Sequence, residues 1–600
     1  MRAAARPAGR KTSPAHAWSR ALELTTPIAS NPHRILSTVI EERAGQIADA
    51  PALLSDGECL TYAGLVARSN RYARWALDHG IAAGDVVCLL MPNRPEYMAI
   101  WLGITRVGGV VALLNTNLAG ASLAHCINTV SPKHVIAAAE LIDSLTTALP
   151  DLAGAPAIWI HGAADDRFPR VDRAIERCGA ERVRDEERRS PTIDDRALLI
   201  YTSGTTGLPK AASVSHGRLM QWSHWFAGMM NAQADDRMYN CLPMYHSVGG
   251  VLATGAMLAA GGAVVVRDRF SARQFWSDVI RWDCTLFQYI GELCRYLLHS
   301  EPHRHEAEHP IRMCCGNGLR GDIWNDFQKR FRIPQILEFY AATESNISLF
   351  NVEGKPGAIG RIPFFLAHRL PATLVKFDVE ADAPVRNAEG FCVRCGPNEV
   401  GEALGQILPD ASNVGSRFEG YTSREASEKK ILRDVFERGD AWFRTGDLMR
   451  KDEQGYFYFV DRIGDTFRWK GENVSTSEVA EAICAFPGVT QAIVYGVTVG
   501  AADGRAGMAT LVADGDLNLA ALRTHLIDRL PEYARPLFLR VRSAIDVTST
   551  FKYTKADFVR QGWDPLAIQD VMYFNDAERG MFVRLDPDLY DRINAGQIRI

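Results

Sequence analysis

The chain has 600 residues, 47% hydrophobic and 23% charged, with a formal net charge of -4. That length exceeds what one hydrophobic core serves, so a large domain plus at least one smaller one is expected, and the composition excludes large-scale disorder. The near balance of charge creates no global basic field, which removes the electrostatic reason for a nucleic-acid partner.

From the amino end, the first twenty-two residues carry Arg2, Arg6, Arg10, Lys11 and Arg20, with no acid before Glu23. Residues 1–34 therefore read as a basic extension, with the composition of a transit peptide or of a disordered tail. No apolar signal core follows, which argues against secretion. Strand-like runs at 86–90, 135–139 and 197–201 then alternate with helix-like stretches, the pattern of α/β units with largely parallel sheets.

Directly after the third run comes Tyr201-Thr202-Ser203-Gly204-Thr205-Thr206-Gly207-Leu208-Pro209-Lys210. Two glycines let the backbone approach an anion, the hydroxyls add donors, and Lys210 adds charge, so the segment suits a polyphosphate. It is not a Walker loop, because the glycines are three apart and Ala211 follows the lysine.

No residue from His246 to Val266 is charged at neutral pH. Gly249-Gly250 and Gly261-Gly262 bracket the apolar part, which reads as a buried helix followed by the strand 263–266 rather than a membrane span. His299, His303, His305 and His309 lie among Glu301, Glu306 and Glu308, but their spacing across Pro302 and Pro310 suits no ligand face, and a solvated loop is expected. A further apolar run at 335–339 leads into Tyr340-Ala341-Ala342-Thr343-Glu344, where Glu344 offers a hard oxygen donor of the kind magnesium prefers.

The twelve Cys form no disulfide framework. Cys392 and Cys395 make a lone CxxC without a second pair, so reduced thiols are expected. Asp447, after Phe443-Arg444-Thr445-Gly446, has the acceptor geometry for two adjacent hydroxyls, or is a tight-turn residue. Residues 455–460 read as a strand, and the polar Asp461-Arg462-Ile463-Gly464-Asp465 as a domain boundary. Beyond it, Ser475 and Glu478 have capping-box spacing, with Val479, Ile483 and Phe486 as an apolar stripe, and 492–495 is the next strand.

The segment from Tyr201 to Lys210 resembles the signature loop of the adenylate-forming superfamily, which includes acyl-CoA synthetases, luciferases and peptide-synthetase adenylation domains. More narrowly, Phe287-Gln288-Tyr289-Ile290-Gly291-Glu292, Gly316-Asn317-Gly318-Leu319-Arg320 and Asp465-Thr466-Phe467-Arg468-Trp469-Lys470-Gly471 resemble the fatty acid transport protein branch, the very-long-chain acyl-CoA synthetases.

The resemblance implies that Tyr201, Thr202, Ser203, Gly204, Thr205, Thr206, Gly207 and Lys210 hold the triphosphate of ATP, and that Gly316, Asn317 and Gly318 contact the nucleotide. It implies Tyr340 beside the adenine, Thr343 on phosphate, and Glu344 on Mg²⁺. Asp447 would bind the ribose and Arg462 would also reach the nucleotide, while His246 would lie near the acyl carboxylate and the departing pyrophosphate. Lys552 would bridge the attacking carboxylate and the α-phosphate. Most superfamily members place Gly before that lysine, where this chain has Phe551, and Lys555 is the alternative.

The expected fold is α/β: a large multi-sheet N-terminal domain over 35–463, with largely parallel sheets, and a small mobile α+β domain over 464–600. The resemblance puts the hinge at Gly464 and Gly471 beside the pantetheine of coenzyme A. The expected activity is ATP-dependent ligation of a long- or very-long-chain fatty acid to coenzyme A through an acyl-adenylate. The competing expectations are a membrane-associated fatty-acid uptake protein that uses ligation only for trapping, and an adenylate-forming enzyme with another second step. Expected placement is cytoplasmic, with peripheral membrane association left open, or mitochondrial if the basic start is a transit peptide.

Overall fold

The computed structural model describes residues 13–163, 167–187, 190–202, 209–408, 417–470, 472–500, 504–545, 555–598 and 600. The chain divides into two compact units. One takes in the chain to Pro371 with Gly405–Leu432 and Ala441–Phe443; the other consists of Ala372–Leu404, Arg433–Asp440 and Arg444–Ile600.

The first unit holds two sheets. In one, the strands run in the order Ala157–His161, His134–Ala138, Val86–Leu90, Val110–Leu113, Arg196–Thr202 and Lys210–Ser215, all parallel except the last. In the other, Ile336–Ala341, Met313–Asn317, Leu286–Ile290, Arg237–Asn240, Ala263–Val266 and Pro51–Leu54 are successive parallel neighbours, and Ser348–Asn351 pairs antiparallel with the first. Strands buried on both faces tend to be continuous apolar runs, which is why the segments at 86–90, 135–139, 197–201, 263–266 and 335–339 stood out in the sequence.

One core draws Val87, Leu89 and Val111 from the first sheet and Leu53, Met238, Val264 and Phe339 from the second. Between them lie the helices Tyr62–Asp78, Pro95–Arg106, His216–Met230 and Thr254–Ala260, of which Pro95–Arg106 is buried at every position. A second core, with Leu90, Leu123, Ile127 and Leu145, covers the opposite face of the first sheet. The layering is that of a multi-sheet α/β unit.

Three local readings change. Within the stretch read as a basic extension, Pro14–Thr25 is a helix that buries Ala17, Trp18 and Ala21 against the helix His216–Met230. Its apolar spacing was masked by Arg20 and by the basic run that precedes the helix. The pair Gly249-Gly250 does not bracket the buried helix but lies inside its π-helical first turn, Val248–Ala253. A β-carbon on Gly250 would stand 2.0 Å from the Met244 carbonyl oxygen, and one on Gly249 2.5 Å from that of Pro243, so only glycine fits there. His309 is no solvated loop residue: its ring stacks on Trp276 at 4.9 Å, Nε2 lies 2.6 Å from Phe331 O, and burial lowers its pKa. Among the described residues no group of His, Cys, Asp or Glu converges as a metal-ion site.

In the second unit, Asp447 to Lys451 of the strand Ala441–Lys451 pair antiparallel with Tyr456–Arg462. Farther on, the strands Val489–Val497, Ala506–Ala513, Phe538–Arg542, Val571–Asp576 and Met581–Arg584 form a five-stranded sheet in chain order, mixed in direction. The helix Thr476–Cys484 starts at Ser475, whose side chain accepts from the Glu478 amide, and it buries Val479 and Ile483. Among the described residues no helix is long and apolar enough to cross a membrane.

Candidate active site

In the first unit the strand Arg196–Thr202 and its antiparallel partner Lys210–Ser215 carry the two ends of the polyphosphate-type loop, with Thr202 opposite Lys210. The loop residues Ser203, Gly204, Thr205, Thr206 and Gly207 lie outside the described residues. Tyr201 is buried, and its hydroxyl donates to Cys126 O at 2.7 Å, so its side chain braces the strand against the helix Gly120–Val130 rather than facing a ligand. His125, on the same helix, has Nε2 3.1 Å from Pro209 O and ties down the far end of the loop.

Tyr421 joins these strands to Glu344. Gly420 and Thr422 bond the backbone of the strand Lys210–Ser215, through Ser213 N to Gly420 O and Thr422 N to Ala211 O, both at 3.0 Å. The Tyr421 hydroxyl then donates to Glu344 Oε1 at 2.8 Å, and Lys210 Nζ stands 5.7 Å from the centre of its ring. Burial, followed by the Glu344 carboxylate, pushes the phenol well above its ordinary pKa, so it remains a donor; Thr202 is bonded to the same side chain.

The turn bearing Thr343 and Glu344 is fixed from beneath by Arg218, which is fully enclosed at 2% exposure. Its guanidinium donates to Thr343 O at 2.9 Å, to Ser345 O at 3.3 Å and to Arg417 O. Glu419 lies 3.6 Å from the same guanidinium and accepts from the Ser215 amide at 2.7 Å and hydroxyl at 2.6 Å. Ser215 in turn caps the helix His216–Met230. A buried cation whose donors meet backbone carbonyls from two segments makes the turn a single arrangement.

Ser247 Oγ and Thr343 Oγ1 are 3.2 Å apart. They adjoin His246, whose ring packs on Tyr245 at 4.6 Å and whose backbone oxygen accepts from Gly250 N at 2.8 Å. The π-helical turn is held by Asn240, whose Nδ2 donates to Gly249 O at 2.9 Å; Thr254 Oγ1 donates to the same oxygen. Asn93 fixes the segment ahead of it, accepting from Met244 N at 2.8 Å.

Gly316, Asn317 and Gly318 close the strand Met313–Asn317, with Gly318 at φ +81°. Buried Glu338 accepts from the Tyr289 hydroxyl, from Gly318 N at 2.5 Å and from Leu319 N at 3.3 Å. Burial raises its pKa to about 8 despite these donors. Asn317 Oδ1 is buried without a hydrogen-bond partner, an acceptor suited to a ligand amine. Tyr340 leaves the same strand as Glu338, two residues on.

A cavity of about 370 Å³ opens from the Ser247 and Thr343 pair and is walled by Trp222, Trp225, Phe226, Phe339 and Phe350. Leu366, His368, Arg369 and Leu370 line it as well, as do Leu22, Thr25, Thr26 and Ile28 from the amino end. The aromatic wall is closely joined: Phe226 stands 4.8 Å from Phe339 and 5.6 Å from Phe350, edge to face.

In the second unit Asp447 and Arg462 are opposite one another on paired strands, with Arg462 Nε 3.7 Å from Asp447 Oδ1. Gly446, at φ +77°, and the Asp447 N to Thr445 Oγ1 bond at 3.0 Å turn that carboxylate. Gly464 has φ +91° and open space where a β-carbon would be. Lys555 Nζ donates to Asp465 Oδ2 at 3.0 Å and to Thr476 Oγ1 at 2.6 Å. Lys552 and Gly471 lie outside the described residues.

Sequence reading missed Tyr421, Arg218, Glu338, Ser247 and the amino-terminal lining residues. Each takes its place through a contact far away in the chain, and the local sequence carries no sign of it.

Residues 40–386 match the family of AMP-binding enzymes, and residues 478–552 match the AMP-binding enzyme C-terminal domain. The chain is 40% identical to long-chain fatty acid transport protein 1 of Homo sapiens, over 94% of its own length and 87% of the relative's. With long-chain fatty acid transport protein 2 of Rattus norvegicus it shares 38% over 94% and 91% of the two chains. In fold it is similar to the anthranilate CoA ligase AuaEII bound to anthranoyl-AMP, with a TM-score of 0.74 at 19% identity, covering 88% of this chain and 97% of that one. A Mycobacterium tuberculosis fatty acyl CoA synthetase superposes with a TM-score of 0.60 at 24% identity, over 88% and 98% of the two chains. The AMP-binding match over more than half of the chain and the identity to full-length relatives lead to one assignment: the chain belongs to the AMP-binding, adenylate-forming enzymes, in their long-chain fatty acid transport protein family.

Proposed function

We propose that this protein is an ATP-dependent ligase that activates a long- or very-long-chain fatty acid as its acyl-adenylate and passes the acyl group to coenzyme A, releasing AMP and pyrophosphate. The observation that carries the reading is the cavity itself: one end meets the Thr343 and Ser247 hydroxyls beside Glu344, and the rest is an aromatic and aliphatic chamber. At about 30 Å³ for a group the size of a water or methylene, it takes on the order of a dozen chain carbons, with longer chains extending past its mouth.

In the first half-reaction a carboxylate oxygen attacks the α-phosphorus of ATP and pyrophosphate leaves. Two anions must meet, so cationic charge and oriented donors are needed where charge develops. Lys210 and the loop 203–207 supply these for the phosphates, and Thr202 and Thr343 add hydroxyls. Mg²⁺ fits the donor set, because Glu344 offers a hard carboxylate oxygen held in place by Tyr421, and it would neutralise phosphate charge when bound there. Gly316, Asn317, Gly318 and Tyr340 serve the adenine, the Asp447 and Arg462 pair the ribose, and His246 the reacting carboxylate. Lys552 is our candidate for the lysine that acts on that carboxylate and Lys555 the alternative; the bonds of the Lys555 ammonium to Asp465 and Thr476 favour the first. A hinge at Gly464 would let the segment 464–600 turn for thioester formation, with Gly471 assigned to the pantetheine of coenzyme A. The test is to mix protein, Mg²⁺, ATP, coenzyme A and a panel of acids, and to read the products by mass spectrometry. Long-chain acyl-CoA with equimolar AMP is expected, whereas an adenylate without thioester, or ADP as the product, contradicts the reading.

A peripheral membrane contact is part of this reading. Phe364 is 96% and Phe365 52% exposed on the turn Phe364–Leu366, next to the cavity-lining His368 and Arg369. Aromatic side chains beside basic ones suit a lipid interface. Flotation with anionic vesicles is expected for the wild type and not for the F364S/F365S variant; equal flotation removes this part.

A further inference from the structure

We propose that the amino-terminal segment, from the helix Pro14–Thr25 to Ala29, gauges acyl-chain length, with Leu22, Thr25 and Ile28 as its specificity-determining residues. The inference rests on the ligase reading and names the part of the chain that selects among its substrates.

Leu22, Thr25, Thr26, Ile28 and Ala29 line the same cavity that ends at Ser247 and Thr343. The facing wall is built from Trp225 and Phe226 of a central helix and from Phe339 and Phe350 of the sheet, so it is fixed by the core. The amino-terminal helix packs on that wall through Ala17, Trp18 and Ala21 of the same core. Its contact is close, because Gly228 leaves room: a β-carbon there would stand 2.6 Å from Ala21 Cα. Arg20 Nε donates to Gly228 O at 3.1 Å, and Trp18 sits edge-on to Trp225 at 6.0 Å and to Phe350 at 5.7 Å. Ile193 N donates to Pro32 O at 2.7 Å and anchors the chain just past the segment.

The lining is prepared for an alkyl chain. Thr25 Oγ1 donates to Ala21 O and Thr26 Oγ1 to Leu22 O, both at 2.7 Å, so neither hydroxyl is left as a donor with no partner but hydrocarbon. Ile28 is 5% exposed. A larger side chain on this wall takes volume directly from the substrate, and each buried methylene denied lowers the affinity of the longer chain about fourfold.

The experiment compares wild type with Thr25→Phe and with the milder Leu22→Phe, using saturated acids of graded length. The readout is the ratio of kcat/KM for the longest accepted acid to that for the shortest. A fall of at least tenfold is expected in a variant whose thermal unfolding matches that of wild type. A ratio within twofold of wild type in such a variant overturns the proposal. Where both variants unfold, wild-type protein photolysed with a fatty acid carrying a terminal diazirine decides: label on the peptide holding residues 18–29 is expected, and label confined to other peptides refutes it. If wild type forms no thioester with any acid, the ligase reading fails instead, and the crosslink still reports whether the segment lines a lipid site.

Discussion

The Tyr421 hydroxyl donates to one Glu344 oxygen at 2.8 Å, and burial with that neighbouring carboxylate keeps the phenol protonated. Removing this donor leaves the carboxylate free to rotate without altering its charge. Tyr421→Phe is therefore expected to raise the Mg²⁺ concentration needed for half-maximal pyrophosphate release about tenfold, the value of one hydrogen bond to a charged group, with little change in thermal stability. An unchanged Mg²⁺ dependence would mean that Glu344 needs no such brace. Glu338 tests a second residue-scale point. Its folded pKa of about 8 lies above the ordinary carboxyl value, so between about pH 4.5 and 8 the native state keeps a proton that the unfolded chain has released. Stability from this group is complete below that window and is lost as pH rises through it. The Tm of Glu338→Gln minus that of wild type should accordingly increase from pH 5 to pH 8, and parallel profiles would contradict the buried, protonated state.

At the scale of elements, the helix Thr476–Cys484 depends on a residue outside it. Asp461 is 1% exposed and accepts from Thr476 N at 2.6 Å, from Thr476 Oγ1 at 2.9 Å and from Ser477 Oγ at 3.3 Å. A carboxylate at a helix start meets the unpaired amides and the positive end of the dipole together. Asp461→Ala is expected to weaken the helix by about 2 kcal/mol, read as amide exchange on the order of thirtyfold faster across 476–484. Unaltered exchange would place the cap elsewhere. The same helix shows what a sequence can reveal: Ser475 and Glu478 announce it locally, and so do the apolar runs of the parallel strands. The strand Arg196–Thr202, for example, is a solid apolar run over 197–201 because both faces are covered there. Asp461, Tyr421 and Glu338 give no such signal, since each acts on a partner 15 or more positions away. The helix Pro14–Thr25 was obscured for another reason. Its charge pattern suggested a solvated tail, while its burial is decided by Gly228, more than two hundred residues on.

For the molecule as a whole, the claim that unites these parts is that the carboxylate at the Thr343 end of the cavity becomes bonded to the α-phosphorus of ATP. The oxygen that attacks remains on phosphorus when the thiol of coenzyme A displaces AMP. Long-chain acid labelled with oxygen-18 in its carboxylate should therefore deliver one labelled oxygen to each AMP formed, and this should stop in Glu344→Ala. Label absent from AMP, or recovered in inorganic phosphate, would show that the acid is activated by another route and would contradict the account.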